Sequence, residues 1–342
     1  MMVRGGAAMD ANGPLVLGID LGGSKTAYGY VDGEGRCLGA GVMPTDSQAP
    51  PGDFFRRLNE GAAALLAGLG PGRELKGVGI AAPDANRFTG TLDHPANLHW
   101  DSVDLVAEMG RFLPVPVAVD NDANAVAMGE MLFGAARGMR DFAAVTLGTG
   151  VGSGIVANGE LVYGADGLAG ELGHLPVAGR TGRECGCGQL GCLETYASAP
   201  GIARTALELQ AVRRGPSSLR AIPFDQLSSR VVFEHARLGD ALALEAFDLT
   251  GRILGAKLAD LVLITRPEAI ILFGGLAGAG DLIFGPTRRA MDESLPPAFR
   301  GRTVLLPSGV KDTDAAILGA AALIWKKLRK PASVSQPASE FK

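Results

Sequence analysis

The chain has 342 residues, a net charge of −4 and 50 glycines. Its nearly balanced charge excludes the basic composition that is typical of a dedicated nucleic-acid-binding protein. The glycines follow no three-residue period and only 20 prolines accompany them, which excludes a collagen-like chain, and a hydrophobic content of 47% excludes disorder throughout. Glycine is therefore expected in tight turns, or where the backbone comes close to a ligand.

Strand-like and helix-like stretches alternate along the chain, which predicts an α/β protein. The longest apolar run, which ends at Trp325, is shorter than the ~18 residues of a membrane span and predicts a buried helix. In chain order, the predicted elements are strands Leu15–Ile19 and Ala27–Val31, helix Phe54–Leu69, strands Gly77–Ala81 and Val115–Val119, helix Ala123–Phe133, strands Phe142–Leu147 and Gly154–Ala157, helix Ala241–Ile264, strand Ala269–Phe273 and helix Asp314–Leu328.

The two ends of the chain, residues 1–13 and 331–342, are rich in Gly, Ala, Ser and Pro without periodicity, which predicts two frayed, disordered tails. The first of them lacks the apolar segment of a secretory signal, so a cytoplasmic protein is expected. In a reducing compartment, three cysteines within eight residues favour a metal site over disulfides.

Two glycine-rich turns each follow a predicted strand. The first begins at Asp20 in IDLGGSKT, and the second begins at Thr146 in VTLGTGVGSG, about 125 residues later. Backbone N–H groups without side chains around them can point at phosphate oxygens, and the Asp20 carboxylate suits Mg²⁺. Neither turn has Walker A or Rossmann spacing. The repetition predicts a duplicated domain with two phosphate loops, and ordinary hairpin turns are the alternative.

A third glycine pair, Gly274-Gly275, follows the buried strand Ala269–Phe273. Bare backbone at this point would let an adenine or a ribose lie against the chain. Taken alone the feature is weak evidence, because strand–Gly–Gly–helix junctions are common.

Asp122 lies in VDNDANA, between the predicted strand Val115–Val119 and the helix that starts at Ala123. Polar residues at the carboxyl end of a strand lie where open α/β sheets bind ligands. Asp122 is therefore a candidate general base, which would take a proton from a substrate hydroxyl as that oxygen attacks a phosphoryl group. The alternative is a helix N-cap, a position that Asp and Asn favour.

A metal cluster is predicted in GELGH and CGCGQLGCLE. One imidazole and three thiolates suit tetrahedral Zn²⁺ in a closed structural site, with buried free thiols as the alternative. Glu171 and Glu194 flank the cluster, and carboxylates fixed there can accept hydrogen bonds from several hydroxyls, as sugar binding requires. The predicted ligands are His174, Cys185, Cys187 and Cys192.

These motifs together resemble the ROK family of bacterial sugar kinases and sugar-responsive repressors. The resemblance runs from about Leu15 to Leu328 and rests on LGIDLGGSKT, VDNDANAVAMGE, VTLGTGVGSGIV, and GELGH with CGCGQLGCLETYAS. It implies an actin-like ATPase fold, which is a duplicated ribonuclease H-like architecture with two α/β domains around a cleft. The implied N-terminal domain comprises residues 14–120 plus 314–330, and the implied C-terminal domain comprises residues 121–313 with the zinc loop.

The resemblance also implies a role for each matched residue. Asp122 matches the catalytic base, His174 matches both a zinc ligand and a sugar contact, and the zinc would shape its loop without taking part in the chemistry. The sugar-contacting positions are Asn121, Asp122, Glu171, His174 and Glu194. The phosphate loops match at Gly22, Gly23, Thr26, Gly148, Thr149 and Gly150, and the adenosine loop matches at Gly274 and Gly275.

One stretch departs from the family pattern. Family kinases commonly carry a PGPVD-like sequence after the third strand, whereas this chain reads APDAN at residues 82–86. This loop lies near the sugar in relatives. Asp84, Asn86 or Asn97 could therefore alter which epimer or substituent is accepted.

The resemblance implies an ATP- and Mg²⁺-dependent hexose kinase, with glucose as the first expected substrate. N-acetylglucosamine, N-acetylmannosamine, mannose, allose or fructose are the alternative substrates. A sugar-responsive repressor would need an N-terminal helix-turn-helix domain, and only about 14 Gly/Ala-rich residues precede the first strand. A zinc-stabilised sugar-binding protein without turnover is a third hypothesis. The expected partners are a small sugar and further copies of the chain, as a dimer or tetramer, with no nucleic acid and no membrane.

Overall fold

The computed structural model describes residues 13–93, 95, 98–177, 181–310 and 315–329. Asn97 and the predicted tails, apart from residue 13, lie outside the described residues. The strands are β1 (Leu15–Leu21), β2 (Lys25–Asp32), β3 (Cys37–Pro44), β4 (Leu75–Ala81), β5 (Ala85–Asn86), β6 (Thr91–Asp93), β7 (Ser102–Asp104), β8 (Val117–Asp120), β9 (Phe142–Leu147), β10 (Val151–Ala157), β11 (Glu160–Leu161), β12 (Ala269–Phe273) and β13 (Val304–Pro307). The helices are α1 (Pro51–Gly68), α2 (Leu105–Gly110), α3 (Asp122–Phe133), α4 (Glu194–Ala197), α5 (Ala199–Val212), α6 (Ser229–Arg237), α7 (Ala241–Thr265), α8 (Asp281–Ser294) and α9 (Ala315–Arg329).

The first sheet has the strand order β3-β2-β1-β4-β8. β2 runs antiparallel to both of its neighbours, whereas β1, β4 and β8 are parallel to one another. The central strand β1 is buried almost throughout, as expected for a central strand of a sheet that is covered on both faces. A small third sheet, β5-β6-β7, follows β4.

The second sheet repeats this topology with the order β11-β10-β9-β12-β13. β10 runs antiparallel to both of its neighbours, and β9, β12 and β13 are parallel. Each sheet therefore consists of an antiparallel meander followed by two parallel strands. This correspondence confirms the duplicated α/β fold that the two glycine turns predicted.

The described residues form two compact units: the second spans Phe133–Ala315, and the first comprises the residues before and after it. α3 lies in the first unit except for its last residue, whereas the sequence-based division places the helix after the boundary at residue 120. α9 returns to the first unit, where glycine makes room for it. A Cβ at Gly79 of β4 would lie 1.9 Å from the Ala320 carbonyl oxygen, so only a bare backbone lets the helix pack this closely.

Each unit has its own hydrophobic core. In the first unit, the Phe54 ring centroid lies 5.1 Å from that of Phe55 and 5.3 Å from that of Trp100. In the second unit, α7 contributes more of the buried side chains than any other element and packs along α8. Among the described residues, no helix combines the length and the apolar character of a membrane span.

Candidate active site

Carboxylates gather at one edge of the first sheet. Because β1, β4 and β8 are parallel, their carboxyl ends meet at the same edge. Asp20 of β1 is paired with Ala81 of β4, and Ala81 is paired with Asp120 of β8. Asp122 follows as the first residue of α3. Open α/β sheets bind ligands at this edge.

The Asp20 carboxylate is largely buried, and this burial raises its pKa from 3.8 to about 6. Repulsion from the Asp122 carboxylate adds to the rise, and attraction to Lys25 opposes it. Both partial burial and a second carboxylate nearby make the ionised form of a carboxyl group less favourable. A divalent cation would compensate this charge, so the surroundings of Asp20 fit Mg²⁺.

The Asp122 side chain is open to solvent, yet the protein around it removes enough water to raise its pKa. The N–H of Ala123, which donates to Asp122 Oδ1 at 2.7 Å, opposes this rise, and the nearby Asp84 carboxylate adds to it. Asp84 itself has a left-handed backbone, with φ of 62°, in the turn after β4. An accessible carboxylate with a raised pKa has the properties of a general base.

The turn before α3 is held by two neighbours of Asp122. Asn121 Oδ1 accepts a hydrogen bond from the Ala123 N–H at 2.9 Å, so Asn121 serves as the helix N-cap. Asp120 is 2% exposed, and its Oδ1 accepts from the Asn121 N–H and from Asn124 Nδ2, both at 2.9 Å. Asp120 therefore fixes the turn that presents Asn121 and Asp122. Asp120 lies in the same motif, but its residue type alone predicts no such role.

The turn between β1 and β2 contains Gly22 and Gly23, and the Gly22 N–H donates to the Lys25 carbonyl at 3.2 Å. Thr26, which the sequence predicts in the phosphate loop, is fully buried, and its Oγ1 lies 2.9 Å from Thr45 Oγ1. Thr45 Oγ1 in turn donates to the Gly22 carbonyl at 2.6 Å. Both threonine hydroxyls therefore support the turn from its buried side.

The turn between β9 and β10 is the equivalent feature of the second unit. The Gly148 N–H donates to the Gly150 carbonyl at 3.1 Å, and Thr149 lies exposed at the tip. The Gly148 carbonyl accepts from the Ala199 N–H at 2.8 Å, which ties the turn to the start of α5. This turn is thus fixed at its base and open at its tip.

The predicted adenosine loop packs onto the second turn. Gly274 has φ of 104°, a left-handed conformation, and a Cβ there would lie 2.7 Å from the Leu147 carbonyl oxygen. The Leu276 N–H donates to this same carbonyl at 3.3 Å. A Cβ at Gly275, in contrast, would meet nothing within 4 Å. Gly274 therefore fits against the end of β9, and Gly275 leaves an open side for a ligand.

The predicted sugar-contacting groups of the second unit lie beside this turn. Glu194 Oε1 accepts from the Cys185 thiol at 2.8 Å, and Glu194 Oε2 lies 2.9 Å from where a Cβ would stand at Gly150. Glu171 is exposed, and its Oε2 lies 3.8 Å from His174 Nε2. Two carboxylates and an imidazole nitrogen can together bind several hydroxyl groups.

The four predicted zinc ligands converge. Their donor atoms all lie within 4.8 Å of one another, with 3.7 Å between the sulfurs of Cys187 and Cys192 and 3.7 Å between His174 Nδ1 and Cys185 Sγ. A tetrahedron with Zn–S bonds of about 2.3 Å has edges of about 3.8 Å, so the donor set fits Zn²⁺. With Nδ1 among the sulfurs, His174 turns Nε2 toward Glu171.

Arg183 anchors the cysteine loop, and no motif in the sequence indicates this role. It is 4% exposed, and its Nη1 donates to the Thr195 carbonyl at 2.6 Å while its Nη2 donates to Glu208 Oε2 at 2.6 Å. Its guanidinium also lies 4.3 Å from the centroid of the Tyr196 ring. These contacts hold the loop against α4 and α5, next to Glu194.

A cavity of about 500 Å³ lies between α6 and the start of α8, just after the Gly274-Gly275 loop in the chain. Within it, the Arg237 guanidinium lies 5.8 Å from the centroid of the Phe233 ring. The lining residues are Phe233, Ala236, Arg237, Ala279, Asp281 and Leu282.

Residues 16–327 match the model of the ROK family. The chain belongs to the ROK family. A glucokinase from Thermotoga maritima is 35% identical to this ROK protein over 318 residues, which cover 92% of this chain and 98% of the relative. A ROK family glucokinase from Streptomyces griseus, solved in complex with glucose and AMPPNP, superposes with a TM-score of 0.74 at 34% identity, covering 90% of this chain and 98% of that one.

A ROK family transcriptional regulator, a homolog of the E. coli MLC protein, superposes on this ROK protein with a TM-score of 0.81 at 26% identity. The superposition covers 92% of this chain and 78% of the regulator. The likeness to solved ROK structures confirms the predicted actin-like ATPase fold.

Proposed function

We propose that this ROK protein is an ATP-dependent glucokinase, which transfers the γ-phosphoryl group of ATP to the 6-hydroxyl of glucose. The observation that carries this proposal is the similarity to glucokinases, at 34% and 35% identity, over 98% of the length of each. The relative that binds glucose and AMPPNP holds both kinds of substrate that the reaction needs. An accessible base and two glycine turns also suit a kinase better than a protein that only binds sugar.

We assign the general base to Asp122. As the sugar 6-oxygen forms a bond to the γ-phosphorus, the bond from that phosphorus to the bridging oxygen breaks, and ADP leaves with the electron pair. The hydroxyl proton passes to the Asp122 carboxylate. The raised pKa of Asp122 makes its ionised form a stronger proton acceptor, and its exposure leaves room for the substrate.

We assign the Mg²⁺ site to Asp20. When bound, Mg²⁺ supplies neutralisation of phosphate charge. Asp20 contributes a partly desolvated carboxylate, which favours a cation more strongly than a fully hydrated one does. The backbone N–H groups of the Gly22-Gly23 turn, and those of the Gly148–Gly150 turn in the second unit, bind phosphate oxygens in this proposal.

We assign the adenine base to the cavity between α6 and α8, which is lined by Ala279, four residues after Gly275. A volume of about 500 Å³ is within the range of small-molecule pockets. Phe233 and Arg237 offer an aromatic ring and a planar guanidinium to a flat ring system, and Asp281 offers an acceptor for its polar edge.

We assign sugar binding to Asn121, Glu171, His174 and Glu194, with Asp84 and Asn86 in the loop that selects among sugars. A structural Zn²⁺ belongs to this proposal, because its ligand Cys192 lies two residues before Glu194 and its ligand His174 lies beside Glu171. Zinc thiolates must stay reduced, which agrees with the predicted cytoplasmic setting. The dimer or tetramer stays a prediction.

The test is ADP release with glucose and MgATP, with Asp122→Asn compared with Asp225→Asn, an exposed carboxylate in a short 3-10 helix. Asp122→Asn is expected to lower kcat by about 10²–10⁴-fold while calorimetry still detects glucose binding, because the base acts on the transition state. Asp225→Asn is expected to behave as wild type. Wild-type turnover in Asp122→Asn would show that another group is the base, and no ADP release with glucose would refute the glucokinase proposal itself.

A further inference from the structure

We propose that Thr45 is a positioning residue that aims the Gly23 N–H of the first glycine turn at the phosphates of ATP. The inference rests on the proposed function only in naming ATP as the ligand. Thr45 follows β3 directly and is 0% exposed, so its hydroxyl cannot itself touch a substrate. It can act only through the groups to which it is hydrogen-bonded.

The donor and the acceptor can be assigned in each hydrogen bond of the Thr45 side chain. Its single hydroxyl hydrogen is donated to the Gly22 carbonyl at 2.6 Å, so in the 2.9 Å contact with Thr26 the donor must be the Thr26 hydroxyl. The Thr45 N–H donates separately to the Ser24 carbonyl at 3.1 Å. Thr45 thus holds two carbonyl groups of one four-residue turn from the buried side, and Thr26 holds Thr45.

The contacts of Thr45 set the direction in which the Gly23 N–H points. A trans peptide is planar, so its C=O and its N–H point in opposite directions, and no cis peptide occurs among the described residues. Because the Gly22 carbonyl points inward at Thr45, the Gly23 N–H on the same peptide must point away from it. A peptide between two glycines rotates with little steric resistance. The closing hydrogen bond, from the Gly22 N–H to the Lys25 carbonyl, does not involve this peptide.

Thr45→Val removes the hydroxyl and keeps the shape of the side chain. The peptide between Gly22 and Gly23 then loses its fixed orientation, and an N–H group that must be oriented on binding contributes less to affinity. We expect Thr45→Val to weaken the binding of Mg·AMPPNP about tenfold, equivalent to about 1.4 kcal/mol. Thr45→Ser keeps the hydroxyl and is expected to bind within about twofold of wild type.

Thr287→Val is the matched control. Thr287 is also 0% exposed, and its hydroxyl also donates to a backbone carbonyl, that of Ile283 at 2.7 Å, but it lies in α8 of the second unit. The same chemical change there is expected to lower thermal stability and to leave the affinity for Mg·AMPPNP unchanged. The control therefore separates a local effect on the turn from a general loss of stability.

Calorimetric titration of the full chain with Mg·AMPPNP tests the inference, with ADP release measured on the same preparations. The result expected for Thr45→Val is a higher Kd for the nucleotide and a higher KM for ATP, with the KM for glucose unchanged. Binding within about twofold of wild type, or an equal loss in Thr287→Val, overturns the inference. If Thr45→Val does not fold, Thr26→Val is expected to weaken binding at least about threefold, and unchanged binding there overturns it.

The two proposals fail separately. If wild type binds Mg·AMPPNP and Thr45→Val weakens this binding, but glucose is not phosphorylated, the glucokinase proposal fails and the inference about Thr45 holds. If wild type phosphorylates glucose and Thr45→Val binds nucleotide like wild type, only the inference fails. A wild-type protein that binds no Mg·AMPPNP refutes both.

Discussion

Asp20→Asn is expected to stabilise the first unit while it abolishes phosphoryl transfer. The pKa of Asp20 rises from 3.8 to about 6 in the folded chain, chiefly through burial and then through repulsion from Asp122. This rise in the pKa of Asp20 corresponds to up to about 3 kcal/mol of lost folding stability when the carboxylate is ionised. Between about pH 4 and pH 6, Asp20 is protonated in the folded chain but ionised in the unfolded chain. The free energy of unfolding therefore falls as pH rises through this window, and above it the folded chain carries the full cost of the buried charge.

Asparagine keeps the size of the side chain without its charge, so the variant escapes this penalty. The assay is urea unfolding in Mg²⁺-free buffer at about pH 4 and about pH 7, followed by tryptophan fluorescence. Both tryptophans, Trp100 and Trp325, lie in the first unit and report on it directly. The Asn variant is expected to gain stability at the higher pH and to lose this gain at the lower one, with Asp225→Asn unchanged. A variant that is no more stable than wild type at the higher pH, or a gain in stability that does not shrink at the lower pH, would show that the Asp20 charge does not destabilise the folded chain.

Three further outcomes are expected. Verified removal of zinc should lower Tm and glucose affinity together, because the metal orders the loop that carries Glu194, and retention of both would contradict a structural zinc. Gly150→Ala should raise the KM for glucose more than that for ATP, since the new Cβ would lie 2.9 Å from Glu194 Oε2, whereas equal effects would argue against this contact. Gly79→Ala should destabilise the fold by about 2 kcal/mol or more in urea unfolding, because its Cβ would lie 1.9 Å from the Ala320 carbonyl oxygen. Gly52→Ala is the control and should not destabilise the fold, because a Cβ at Gly52 meets nothing within 4 Å. Similar losses of stability in Gly79→Ala and Gly52→Ala would contradict the packing argument.

The sequence was sufficient for elements with an uninterrupted apolar pattern. The central strands and the long helices are such elements, and their bounds differ from the predicted ones by only a few residues. β3 was missed because its CLGAGVMP sequence contains two glycines and alternates between half-buried and exposed positions, as an edge strand does. α8 was missed because Gly285 and Pro286 interrupt its pattern, although Pro286 is buried inside the helix.

Some residues of the candidate site could be predicted from the sequence and others could not. Asp122 and the four residues of the Cys₃His cluster were accessible to sequence analysis, because each lies in a short motif whose residue types suggest a general base or a metal ligand. Asp120 lies in the Asp122 motif and bonds to the nearby Asn121 and Asn124, so only the geometry of these contacts needed the structure. Thr45 and Arg183 were not accessible, because only the tertiary fold brings their partners to them. Thr45 meets Gly22 across 23 positions of the chain, and Arg183 meets Glu208 across 25. No local pattern can indicate such a contact.

The proposal that the chain is a glucokinase is tested most directly by measuring kcat/KM for ATP-dependent ADP release. The measurement covers a panel of sugars on one preparation of the wild-type chain. The panel comprises glucose, mannose, allose, fructose, N-acetylglucosamine and N-acetylmannosamine, because discrimination between substrates is a ratio of these constants. We expect ADP release with glucose at the highest kcat/KM of the set. A higher value for an N-acetylhexosamine, or no sugar-dependent ADP release at all, would contradict it.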